Sequence, residues 1–137
     1  MQLKTFTPDT TPNVRASAQI PQVTLYLKNG VFAINKSAAE VIGVASGNQI
    51  MLHQDEENPE DWYIEKVKDN GFPLRCKNGD VAPLVFNNSA LVREICNSVD
   101  FGTEEHKGCK VRLAKEASDF EGRTLWCIMM TSAEARV

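Results

Sequence analysis

Alternation of apolar and polar positions becomes regular at residue 23. Val23, Leu25 and Leu27 alternate with Thr24, Tyr26 and Lys28, the period-two signature of a strand with one buried face. Asn29-Gly30 then predicts a tight hairpin turn with both residues at positive φ, and Val31–Ile34 a returning strand. Ser37-Ala38-Ala39-Glu40 reads as a capping box. Ala38, Val41 and Ile42 supply an apolar stripe and Gly43 a stop, so a helix of about two turns is expected. Strands are expected over residues 49–53 and 62–67, on either side of an acidic loop at 55–61. Asp69-Asn70-Gly71 marks the next turn.

The order of elements then recurs. A strand is predicted at 72–76, a turn at Asn78-Gly79, a strand at 81–86, a helix at 89–96 and strands at 111–113 and 124–130, with residues 131–137 frayed. Short strings recur with it. Leu25-Tyr26-Leu27-Lys28-Asn29-Gly30 is echoed by Leu74-Arg75-Cys76-Lys77-Asn78-Gly79, and Ile34-Asn35-Lys36-Ser37-Ala38 by Phe86-Asn87-Asn88-Ser89-Ala90. Gly47-Asn48-Gln49-Ile50-Met51-Leu52 matches Gly108-Cys109-Lys110-Val111-Arg112-Leu113, and Trp62-Tyr63-Ile64 matches Trp126-Cys127-Ile128. Two copies of one small unit pack readily about a pseudo-twofold axis. The expected fold is therefore a β-rich α+β domain whose two related hairpin/short-helix/strand halves share one core. Residues 1–20 form an N-terminal arm, 21–70 the first half, 71–131 the diverged second half and 132–137 a tail. Pro8, Pro12 and Pro21 exclude a regular helix in the arm.

Composition narrows the functional classes. The 137 residues suit one compact domain, because two lobes of about fifty residues would each bury too little surface to stand alone. Net charge is −3, with four basic and eight acidic side chains in residues 21–70 and nine of each in 71–137. Any nucleic-acid role must therefore rest on a local patch. With no apolar span and no charged-then-apolar leader after Met1, a soluble cytoplasmic protein without membrane association is expected. Cys76, Cys96, Cys109 and Cys127 form no C-x-x-C pair and read as reduced, small core residues.

Residues 30–44, Gly30-Val31-Phe32-Ala33-Ile34-Asn35-Lys36-Ser37-Ala38-Ala39-Glu40-Val41-Ile42-Gly43-Val44, followed by Gly47-Asn48-Gln49-Ile50-Met51-Leu52, resemble the AbrB/SpoVT-type swapped-hairpin domain. That family's pattern is a glycine, a short strand ending in Ile-Pro, a brief helix, Leu-Gly-Ile or Leu-Gly-Leu, and Gly-Asp before a last strand. Ile34, Ile42-Gly43-Val44 and Gly47-Asn48 stand at those positions without a gap. The second copy matches loosely. The resemblance implies interleaved hairpins in one β-rich body with surface cations that bind DNA, as in transcription regulators and antitoxins. Val31 stands where the family commonly has arginine, Asn35 where it has proline, and Asp80 follows Gly79 in the second copy.

The cations implied as phosphate contacts are Lys28, Lys36, Arg75 and Lys77, with Arg93 nearby and Lys4 and Arg15 on the arm. The functional expectation is a non-enzymatic DNA-binding or regulatory protein, its partner double-stranded DNA. The alternative is a protein-interaction or assembly module that keeps the fold without binding DNA, its partner another protein or itself.

Other chemistry has less support. His106-x-x-Cys109 has metal-site spacing but lacks closely paired further donors. The acidic run Asp55-Glu56-Glu57 with Glu60 and Asp61 lacks the glycine and alternation of a calcium loop. His53 and His106 adjoin no nucleophile motif, and no phosphate-cradling glycine loop is present. No metal, cofactor or catalytic residue is expected. Trp62 and Trp126 are expected in the core.

Overall fold

The computed structural model describes residues 2, 20–78, 81–99 and 106–136. Its elements in chain order are β1 (Gln22–Tyr26), β2 (Val31–Ile34), α1 (Lys36–Ile42), β3 (Gln49–Gln54), β4 (Trp62–Val67), β5 (Phe72–Pro73), β6 (Arg75–Asn78), β7 (Val81–Asn87), α2 (Ser89–Asn97), β8 (Gly108–Leu113), β9 (Ser118–Phe120) and β10 (Arg123–Arg136). The arm, Lys4 and Arg15 included, lies outside the described residues apart from positions 2 and 20, as do Gly79 and Asp80.

The fold is β-rich. Ten strands form one antiparallel sheet ordered β5-β3-β4-β10-β8-β1-β2-β7-β6, with β9 attached to β10. The two ends of that path, β5 and β6, are separated in the chain by Leu74 alone. Leu74 donates to Asn48 O at 2.9 Å and accepts from Gly47 N–H at 2.8 Å. The sheet thus curls into a nearly closed ring, which leaves few bare edges.

Inside the ring the alternation of the sequence becomes a core. Val23, Leu25, Phe32, Ile34, Ile50, Ile64, Val111 and Ile128 are almost wholly buried. Phe86 stacks on Phe32 (centroids 4.9 Å) and on Phe72 (4.6 Å). The helices add Ala38, Ala39 and Ile42 from α1 and Val92, Ile95 and Cys96 from α2. Trp62 is buried, its indole N–H donating to Ser98 Oγ at 3.0 Å, while Trp126 is half-buried against the same core.

Some of the echoed positions take corresponding places in the strand pairing, although the β1–β2 and β6–β7 registers differ. Val23 pairs with Val111 across β1–β8, and Phe72 pairs with Ile50 across β5–β3. Leu52 lies opposite Ile64 and Leu113 opposite Ile128. Trp62 faces Ile128 while Ile64 faces Trp126.

Several local expectations are corrected. Asn35, not Ser37, caps α1, its Oδ1 accepting the Ala38 N–H at 2.8 Å. The helix begins two residues before the expected start, so Ser37 and Glu40 lie within it and the Ser37–Glu40 box is not the cap. Asn88 caps α2 in the same way through the Leu91 N–H, which puts the echo of Asn35 by Asn87 one residue out of step. The β1–β2 connection spans residues 27–30, and of Asn29 and Gly30 only Gly30 has positive φ, +62°. The wider connection removes the need for a second left-handed residue. The strand expected at 72–76 divides at Leu74. The last strand continues to Arg136 rather than fraying after residue 130, because residues 134–136 pair with residues 108–110 beyond an irregularity. Gly43 does end α1 in a left-handed conformation, φ +80°.

Candidate nucleic-acid interface

β1 organises the strongest cluster of cations. Its inward residues Val23 and Leu25 are buried, so Gln22, Thr24 and Tyr26 face outward. Pairing carries that outward row across the sheet. Tyr26 lies opposite Gly108 and Val31, and Gly108 opposite Arg136. Thr24 lies opposite Lys110 and Ala33, and Ala33 connects through Val85 to Arg75. Gln22 lies opposite Arg112.

Tyr26 is the centre of this surface. The Arg136 guanidinium sits 4.2 Å from its ring centroid and the Lys77 ammonium 5.7 Å from it. The electron-rich faces of the ring attract both cations. The Leu27 N–H donates to Lys107 O at 2.9 Å, and Lys107 N–H to Arg136 O at 2.6 Å, so the turn after β1 is tied to both neighbours. Lys28 projects from that turn and is exposed. Arg75 donates to Asn87 Oδ1, and Asn87 Nδ2 donates to Asn29 O at 3.1 Å, which brings Arg75 toward the same turn.

Of the four sequence-derived candidates, Lys28, Arg75 and Lys77 therefore gather around Tyr26 and the β1–β2 turn. Lys36 does not join them. It is exposed at the start of α1, at the other end of β2, where Asn35 ties the helix to Gln22 and Ile20. Arg93 is exposed on α2. Among the described residues no ion pair engages Lys28, Arg75, Lys77, Lys110, Arg112 or Arg136; the ion pair found there joins His53 Nε2 to Glu65 Oε1 at 2.8 Å. The described acidic side chain on this surface is Glu134, opposite Lys110.

Arg136 and Lys110 are members that the sequence reading missed, while Arg112, opposite Gln22, lies at the same end as Lys36. Lys110 and Arg112 alternate with buried Cys109, Val111 and Leu113, a signal that was available. Arg136 carried none, since its place follows from where β10 ends.

Among the described residues no group of three or more His, Cys, Asp or Glu side chains is arranged to hold a metal ion. All four cysteines are free thiols, Cys96 and Cys109 buried, Cys76 and Cys127 half-buried. Cys96 and Cys109 face each other with sulfurs 3.9 Å apart. That contact lowers the Cys96 pKa and, with burial, pushes Cys109 far above the ordinary thiol value. No helix among the described residues is long and apolar enough to cross a membrane.

Comparison with known proteins gives no match: no family profile, no curated protein sequence and no solved structure is significantly similar to this chain.

Proposed function

We propose that this chain is a binding protein of the AbrB/SpoVT swapped-hairpin type, two related halves fused into one barrel, and that it contacts the phosphates of double-stranded DNA. Support for the fused halves comes from register. If 72 stands for 23, 50 for 111, and Trp62-Tyr63-Ile64 for Trp126-Cys127-Ile128, then Val23↔Val111 maps onto Phe72↔Ile50, Thr24↔Lys110 onto Pro73↔Gln49, and Trp62↔Ile128 onto Trp126↔Ile64. That is how a twofold axis acts on a sheet.

Support for DNA comes chiefly from the convergence of Lys28, Arg75, Lys77 and Arg136 around Tyr26 without ion-pair partners among the described residues. Surface cations without ion-pair partners release counterions from a duplex, whereas already paired ones gain little. The readout is of backbone charge. Base specificity is not part of the proposal.

Fluorescence anisotropy of a labelled random duplex, titrated at several salt concentrations, tests the reading. Affinity should fall steeply with salt. In a Lys28→Ala, Lys77→Ala double variant the slope of log K against log salt should shrink by about 2. Absence of binding at the lowest salt overturns the proposal.

A further inference from the structure

At the opposite end of β10 from Arg136 the molecule is of the other sign. The β3–β4 loop and the β9–β10 hairpin enclose a groove of about 650 Å³. Tyr63 and Leu125 line its apolar part, and Phe120 stands on its wall 59 % exposed. Asp55, Glu56, Glu57 and Asp119 give it four carboxylates against one guanidinium, Arg123. Glu57 N–H donates to Asp55 Oδ1 at 2.9 Å, and Asn58 Nδ2 lies 3.4 Å from Oδ2. These donors favour the ionised carboxylate and lower its pKa.

An exposed phenylalanine beside a carboxylate-rich groove is suited to an occupant with cations around a small apolar or aromatic centre. The chain itself presents such a surface. Tyr26 with Lys77 and Arg136, and the projecting turn that carries Lys28, lie at the far end of the 14-residue strand β10. At strand rise the two ends are up to roughly 40 Å apart. One copy therefore cannot fill its own groove with its own turn.

We infer that the acidic groove receives the basic β1–β2 turn of a second copy, giving a head-to-tail association. The contact joins two different patches, so each copy retains one free groove and one free turn. Such heterologous contacts extend into open chains unless the rotation closes a ring. The net charge of −3 is small enough that whole-molecule repulsion does not oppose them. This inference does not depend on DNA binding, although it uses some of the same cations.

Sedimentation velocity over a concentration series tests it, at about 0.05 M and about 0.5 M salt. The wild-type protein should associate beyond the dimer at low salt and dissociate at high salt. A groove variant, Glu56→Lys with Glu57→Lys, and a turn variant, Lys28→Glu with Lys77→Glu, should each be monomeric alone. Mixed, they should form 1:1 dimers, because each retains the surface the other lacks. All four positions are exposed, and circular dichroism will verify the fold of each variant. Phe120→Ser should weaken wild-type association by about tenfold or more. A monomer at about 1 mM and low salt overturns the inference, as does association that stops at an isologous dimer or a mixture that stays monomeric. The groove variant should still bind a duplex if the DNA reading is right, so the two failures are separable.

Discussion

Two seams close the sheet, and they are unequal. β1 lies along β8 through five register pairs, from Gln22↔Arg112 to Tyr26↔Gly108, whereas β5 meets β3 through two, Gln49↔Pro73 and Ile50↔Phe72. The apolar placement is alike, with Val23 on Val111 at one seam and Phe72 on Ile50 at the other. The course of the chain makes the difference. Leu74 carries the shorter seam one step further, its N–H donating to Asn48 O and its C=O accepting from Gly47 N–H. Beyond it, β6 turns to β7. A buried side-chain pair thus fixes where a seam falls, while the point at which the chain leaves for another strand fixes how far it runs.

Substitution at two corresponding glycines gives the largest expected contrast. A Cβ on Gly108, φ +133°, would lie 1.8 Å from Leu25 O, whereas one on Gly47, φ +93°, meets nothing within 4 Å. Gly108→Ala should cost more than about 4 kcal/mol or prevent folding, because backbone must move. Gly47→Ala should cost about 1–2 kcal/mol from its dihedral alone. Urea denaturation of both measures the gap, and equal losses would break the distinction between the seams.

Leu74→Ala comes next. It should cost about 2–4 kcal/mol for a buried leucine, and amide exchange at Gly47 and Leu74 should speed up before global unfolding. Leu25→Ala should cost a comparable amount without such local opening, since five pairs hold β1 to β8. Hydrogen exchange followed by NMR separates the two behaviours.

This inequality was only half legible in the sequence. Val23, Leu25, Ile50, Val111, Trp62 and Trp126 announced their strands, because burial on one face imposes a strict period of two. Polar or short segments announced little. Ser118, Asp119 and Phe120 are all exposed in β9, and the last stretch of β10 mixes small, charged and hydroxyl residues. Their pairing follows from a neighbour's free edge, which no local pattern records. The same blindness hid Arg136, which lies with Lys77 against the Tyr26 ring. Lys36 stands apart from them because it follows β2, whereas Lys28 precedes it.

The two helix caps offer a smaller test. Asn35 accepts from Ala38 and Gln22 N–H and donates to Ile20 O, whereas the described side-chain bond of Asn88 is with Leu91 N–H. Asn35→Ala should therefore cost about 2 kcal/mol and Asn88→Ala about 1 kcal/mol. Thermal melts that reversed the order would show that tying β1 to its helix adds nothing to the stronger seam.

Smallest is an acid effect at the far end of β3. The Asp55 pKa is lowered, first by the Glu57 N–H and then by Asn58. Its contribution is therefore present above the unfolded-state pKa and is lost as pH falls through the folded-state value. Amide exchange at Glu57, corrected for intrinsic rates, should rise over that acid range while Gly47 and Leu74 stay protected. Parallel loss at all three would tie the weak seam to this loop.

The position of β10 has a consequence for synthesis. It pairs with β4 and β8, yet follows both in the chain. While a ribosome is still making the last strands, β1 lacks its β8 partner and β4 presents one bare edge to solvent or to another nascent chain. Such edges recruit foreign strands. The interval before residue 136 emerges is thus the period of greatest aggregation hazard, and slower translation of the second half would prolong it.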